Sequence, residues 1–253
     1  MILEYHRPKS LEEALALLQR SHPPTYPLGG GIVLSRVKDM DCAVVDLQDL
    51  GLNQIVAQGN VIRIGATASL QQLVESSLVP DDLALAARKE TTYNLRQRAS
   101  VAGSLVSGDG RSPFLAAMLA LDVTLVWLPG EKTQPLGDFL ALRGKRPNPG
   151  HLIVEVRLTG NARLKYEAVA RTPEDRPIVL VAVARWPSGR TRVVVGGFGE
   201  APQLILDGPD GVGAPEAMRL ALAEADDPWA SAVYRQEVAP ILFKRCMGAL
   251  MNG

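Results

Sequence analysis

The sequence predicts an α+β protein. A two-part α/β domain spans residues 1–160, with subdomains of about 1–52 and 53–160, and a small antiparallel sheet with helices on one face spans 161–253. Three observations predict this. In the first part, helix-opening signals alternate with short apolar runs of strand character. Past Gly160 the pattern changes to two apolar strands, 178–185 and 191–198, joined through Trp186, Pro187, Ser188 and Gly189, which is a hairpin signal. Two helical patterns then close the chain.

Taken in order, Ser10, Leu11, Glu12 and Glu13 fit a capping box, and Leu11, Ala14, Leu15, Leu17 and Leu18 recur at helical spacing. Tyr26, Pro27 and Leu28 lead as a strand into Gly29, Gly30 and Gly31. A short helix is expected to leave that turn through Ile32, Val33 and Leu34, with the next strand at 42–47. Residues 61–65 read as a strand, Ser69 to Gln72 as a second capping box, and Leu83, Leu85, Ala86 and Ala87 as a helix. Residues 99–112 are so rich in Gly and Ser that they read as a long loop, the kind of segment where function tends to sit. Pro113 suits the first turn of a helix carrying Phe114, Leu115, Met118, Leu119 and Leu121. Strands at 123–128 and 151–158 flank a basic, solvated loop at 143–150. The closing helices are expected near 215–225 and 229–251, the second kinked or restarted at Pro240.

Composition narrows the function. With 253 residues, 47% apolar and 21% charged, the chain is globular. Its 27 basic and 27 acidic residues balance, which argues against a general electrostatic grip on nucleic acid or anionic membrane. No apolar run approaches the roughly 20 residues of a membrane-spanning helix. The opening residues lack the basic-then-apolar order of a signal peptide, so a cytoplasmic protein is expected. Cys42 and Cys246 read as separate reduced thiols, and His6, His22 and His151 have no paired-ligand spacing, so no protein-bound metal is expected. Neither a serine-hydrolase elbow nor a Gly-Lys-Ser/Thr phosphate loop is present.

Two segments remain as candidates for ligand contact. Gly29, Gly30 and Gly31 let a ligand approach the backbone amides with no Cβ in the way, and a helix starting there would favour an anion such as a diphosphate; a tight turn without a ligand is the alternative. The spacing does not match Gly-x-Gly-x-x-Gly, so a Rossmann site is not indicated. The Ser100 to Ser112 stretch offers hydroxyls and amides that could reach phosphate or ribose, or is a plain surface loop.

At these residues the sequence resembles the FAD-binding medium subunit of the molybdenum hydroxylases, the family of carbon monoxide dehydrogenase and xanthine dehydrogenase. The likeness runs nearly end to end. Tyr5 to Ala14 resembles the family's opening, and Leu28, Gly29, Gly30, Gly31, Ile32, Val33 and Leu34 stand where the family carries Ala-Gly-Gly-Thr-Asp-Leu-Leu. Ser100, Val101, Ala102, Gly103, Ser104 and Leu105 match its Thr-Ile-Gly-Gly-Asn-Leu, and Ser231 to Arg235 its Ser-Ala-x-Tyr-Arg. The resemblance implies an FAD-dependent oxidoreductase subunit with the diphosphate held at residues 28–34, and with Ser100, Val101, Gly103, Ser104 and Asp109 completing the FAD site. It implies a molybdopterin-containing large subunit and a 2Fe–2S small subunit as partners, with NAD or another acceptor taking the electrons; substrate chemistry would occur on another chain. Several positions depart from the family: Gly31 and Ile32 replace a Thr-Asp pair, Ala102 a glycine and Ser104 an asparagine, and Pro113 stands where a ribose-binding Asp is expected. Each lost buried partner would cost about 1–3 kcal/mol. A degenerate paralogue that keeps the fold with lost or weakened FAD binding, serving as an assembly or interaction module, is therefore the second reading. A cleft plugged by Ile32, Arg111 or Pro113 would contradict the first.

Overall fold

A computed structural model describes residues 1–34, 41–143 and 150–252. The first sheet is small and parallel: β1 (Ile2–His6) and β2 (Thr25–Leu28) flank β3 (Cys42–Asp46), with α1 (Leu11–Leu18) laid against it. Every residue of β3 is buried, as its unbroken Cys-Ala-Val-Val run requires of a central parallel strand. Ser10 caps α1 by accepting from Glu13 N, while the Glu13 carboxylate reaches back one residue further than a capping box does, to Lys9 N.

The second sheet is antiparallel, ordered β4-β5-β8-β6-β7: β4 (Ile55–Gln58), β5 (Val61–Gly65), β6 (Thr124–Leu128), β7 (Lys132–Pro135) and β8 (Leu152–Thr159). Its connections carry α2 (Leu70–Glu75), α3 (Asp81–Glu90), α4 (Tyr93–Arg96), α5 (Val101–Ser107), α6 (Pro113–Ala120) and α7 (Leu136–Leu142). The Ser69 capping box forms in full with Gln72.

The third sheet is antiparallel, ordered β12-β11-β10-β9: β9 (Arg163–Val169), β10 (Val179–Arg185), β11 (Arg190–Gly196) and β12 (Gln203–Pro209). The β10–β11 hairpin turns at Trp186 to Gly189 as its sequence requires, with Gly189 at φ 88°. α8 (Ala214–Ala221) and α9 (Ala232–Asn252) cover one face. Along β10 the alternation is clean: Val179, Val181 and Val183 pack with α8 and α9, while Leu180, Ala182 and Ala184 join the main core around α6. Both faces of this sheet are therefore covered, the second by a helix from the first part of the chain. All eight residues of α6 are buried, which explains why its sequence is apolar all round.

Three expectations change. Residues 101–107 form a helix instead of a loop: Ser100 caps it, and Val101 and Leu105, four residues apart, anchor it in the core. α9 runs unbroken through Pro240, so the chain does not restart there. The strands β9 and β12 that edge the third sheet are additions to the two expected there. The short helix expected after the glycine turn lies outside the described residues beyond Leu34, as does the expected basic loop apart from Arg143 and Gly150. Among the described residues, no helix is long and apolar enough to cross a membrane, and no group of three or more His, Cys, Asp or Glu could hold a metal.

Candidate functional site: a cleft between two glycine segments

The glycine turn leaves the carboxyl end of β2 and packs directly onto the segment that joins α4 to α5. A Cβ on Gly30 would lie 1.5 Å from the Arg98 carbonyl oxygen, and one on Gly29 would lie 2.7 Å from Ser100 Oγ. Gly103 approaches the same hydroxyl, its hypothetical Cβ also at 2.7 Å. Only glycine permits this approach, so the two segments singled out in the sequence meet.

Beside that junction opens a cleft of about 960 Å³, within the range of small-molecule sites. Gly29, Gly30, Gly31, Ile32, Val33 and Leu34 line one side, and Ser100, Gly103, Ser104 and Asp109 another. Leu28 and Val101 do not line it: Leu28 is the last residue of β2, and Val101 is buried with its amide donating to Ala68 O at 2.8 Å. The plugs considered from sequence are elsewhere. Pro113 is buried in the first turn of α6. Arg111 donates to the carbonyls of Pro177 and Arg176, both at 2.8 Å, and stacks 4.4 Å from the Trp229 ring centroid. Ile32 forms part of the wall and leaves the cleft open.

The amides divide sharply. Among the described residues, those of Gly29, Gly30 and Gly31 donate to no group of the chain. The amides at the start of α5 are all used: Val101 and Ala102 donate to Ala68 O and Ala66 O, Gly103 to Ser100 Oγ, and Ser104 to Ser100 O. The glycine turn thus keeps three unspent donors beside open space, a fit to an anionic diphosphate. The second segment shapes the wall without offering its amides.

Charged groups that sequence reasoning missed complete the cleft. Arg176 reaches across from the segment between β9 and β10 and pairs with both oxygens of Asp109. Burial raises the Asp109 pKa, but the Arg176 pairing and the Arg111 amide outweigh it and leave the carboxyl below its ordinary value. Glu90, at the last position of α3, accepts from Ser112 Oγ at 2.7 Å and from Phe114 N at 3.1 Å, thereby helping to cap α6. Burial pushes its carboxyl up to about 7 despite those two hydrogen bonds. One signal was available: an acid ending a helix after Arg88 and Lys89 runs against the helix dipole.

The sign of the Glu90 effect is testable. A raised carboxyl pKa means that the folded chain holds this proton more tightly than the unfolded chain. Its stabilisation is full below pH 4.5 and is lost as pH rises through about 7. Glu90→Gln should remove that part of the decline, so its urea midpoint should fall less than the parent's across this window. Parallel profiles would overturn the assignment.

Comparison with known proteins agrees with this architecture. The chain is 26% identical over 250 residues to the protein YgfM of Escherichia coli strain K12, covering 96% of this chain and 94% of that one. It is 27% identical over 282 residues to the carbon monoxide dehydrogenase medium chain of Afipia carboxidovorans, covering 96% and 95%. The fold matches a chain of the solved carbon monoxide dehydrogenase from Hydrogenophaga pseudoflava at a TM-score of 0.79 and 24% identity, covering 98% of this chain and 97% of that one. The family described as the FAD binding domain in molybdopterin dehydrogenase matches residues 1–158. That match takes in the three-stranded sheet, the five-stranded sheet and both glycine segments; the chain belongs to this family.

Proposed function

We propose that this chain is the FAD-binding subunit of a molybdenum hydroxylase complex in the cytoplasm. It would receive electrons from the 2Fe–2S clusters of a small subunit and deliver them to NAD or another acceptor. A molybdopterin-containing large subunit would carry the substrate chemistry. When bound, FAD supplies the one- and two-electron redox chemistry, and this chain supplies binding, orientation and shielding. The reading rests on one observation: Gly29, Gly30 and Gly31, whose amides are unspent among the described residues, line an open cleft where the two glycine segments touch. These amides would take the diphosphate. Ile32, Val33 and Leu34 would wall the ligand on one side, and Ser100, Gly103, Ser104 and Asp109 on the other.

Absorbance of the purified chain, before and after addition of FAD and removal of the excess, tests this directly. About one flavin per chain is expected. A colourless chain that takes up none would sink the proposal. One observation favours the second reading, a chain of lost or weakened affinity that serves in assembly: the amides of α5 are spent within the protein, so of the two glycine segments the first alone offers amides to the diphosphate.

A further inference from the structure

Among the described residues, one aromatic side chain, that of Tyr93, lines the cleft. Tyr93 opens α4 and is 59% exposed, a large ring surface left uncovered. One turn on, Arg96 holds its guanidinium 5.7 Å from the Tyr93 ring centroid. That guanidinium is anchored: Nη1 donates to the carbonyls of Arg88 at 2.8 Å and Thr91 at 2.9 Å, and Nε to Gln71 Oε1 at 3.1 Å. It therefore backs the ring and is not free to swing out as a counter-ion. Cation–π contact of this kind fixes the orientation of a ring and leaves its remaining surface for another flat group.

The location suits such a group. Gly30 touches the Arg98 carbonyl, five residues beyond Tyr93. Tyr93 and the three glycines line the same cleft, so a dinucleotide with its diphosphate at the turn would carry its rings within the same enclosure as Tyr93. We propose that Tyr93, backed by Arg96, is a stacking platform for one of the two flat ring systems of the dinucleotide whose diphosphate lies at Gly29, Gly30 and Gly31. This inference rests on the FAD-binding reading above.

Titration of the purified, flavin-free chain with FAD, FMN and ADP, each alone, tests it in the parent, Tyr93→Ala and Tyr93→Phe. If the parent binds no FAD, the functional reading itself fails. If the parent binds, Tyr93→Ala should weaken FAD by about tenfold or more, the scale of losing one stacked ring, and Tyr93→Phe, which keeps the ring, should restore affinity. A matching loss for ADP but not FMN identifies adenine as the stacked ring, and the converse identifies the isoalloxazine. Equal FAD affinity in parent and Tyr93→Ala overturns the platform. So does equal loss in the Phe and Ala variants, which would implicate the hydroxyl, or a loss confined to FAD with neither half-ligand affected. Circular dichroism of each variant accompanies the titrations; because Tyr93 is exposed, unchanged spectra are expected.

Discussion

Replacing Gly30 by valine is expected to abolish FAD retention while leaving most of the fold in place. Alanine should nearly suffice, because the Cβ itself would lie 1.5 Å from the Arg98 carbonyl oxygen and 2.6 Å from its carbon. Both are main-chain atoms, so no rotamer change relieves the contact. The turn must lift away from the segment between α4 and α5, which opens the wall formed by the three glycines. A loss of at least a hundredfold in FAD affinity, about 2.7 kcal/mol, is expected. The three hydrophobic clusters include none of the three turn glycines, so circular dichroism and the melting transition should remain close to the parent's. Gly137→Ala is a matched control: its Cβ would meet nothing closer than Leu119 Cδ1 at 3.6 Å, and α7 carries it away from the cleft. Flavin content in Gly30→Val equal to that of the control would show that the diphosphate lies elsewhere.

Arg235→Met should give the largest loss of stability, about 3–5 kcal/mol. The Arg235 side chain is fully buried. Its Nε donates to Ile178 O at 2.9 Å, and Nη1 donates to Ala230 O at 2.8 Å and more closely to Ala225 O. Nη2 reaches Gly197 O at 3.4 Å and Asp227 Oδ2 at 2.8 Å. One guanidinium thereby ties the start of β10, the end of β11 and the link between α8 and α9. Methionine fills much of the space but leaves four carbonyls and a carboxylate without this donor in low dielectric. Lysine should rescue little, since a point charge cannot reproduce a planar fork with partners on several sides. Urea unfolding measures the loss, and a change below about 1 kcal/mol would mean that water replaces the guanidinium.

Particular residues show how far the sequence could be read. The Ser69–Gln72 capping box, the turn at Gly189 and the alternation of β10 are local patterns, and each forms as its chemistry requires. The three glycines after β2 pointed to amides left open to a ligand; in the fold Gly30 also lies directly on the Arg98 carbonyl, a contact within the chain that the triplet alone does not signal. The second glycine segment was harder because its small residues serve different ends. Gly103 lies within α5 against Ser100, whereas Gly110 docks backbone to backbone on the third sheet, where a Cβ would meet Phe198 O at 1.6 Å. Low helix propensity suggested a loop, and the burial of Val101 and Leu105 overrode it. The i, i+4 spacing of those two residues was the available clue. Glu90, Tyr93, Arg96 and Arg176 carry no such pattern. They come from three parts of the chain, and only the packing of α3, α4 and the segment between β9 and β10 brings them to one cleft.

The central position of α6 has a consequence for how the molecule comes apart. Its apolar surface has no side turned to water, and β10 and β11 supply one of its walls. Prising the third sheet away would strip that wall and present bare hydrocarbon to solvent, so the halves on either side of Gly160 should melt together as one cooperative block. Glu90 and Ser112 hold the first turn of this same helix, at the edge of the cleft. Ligand seated there would be felt at the mechanical keystone of the whole chain.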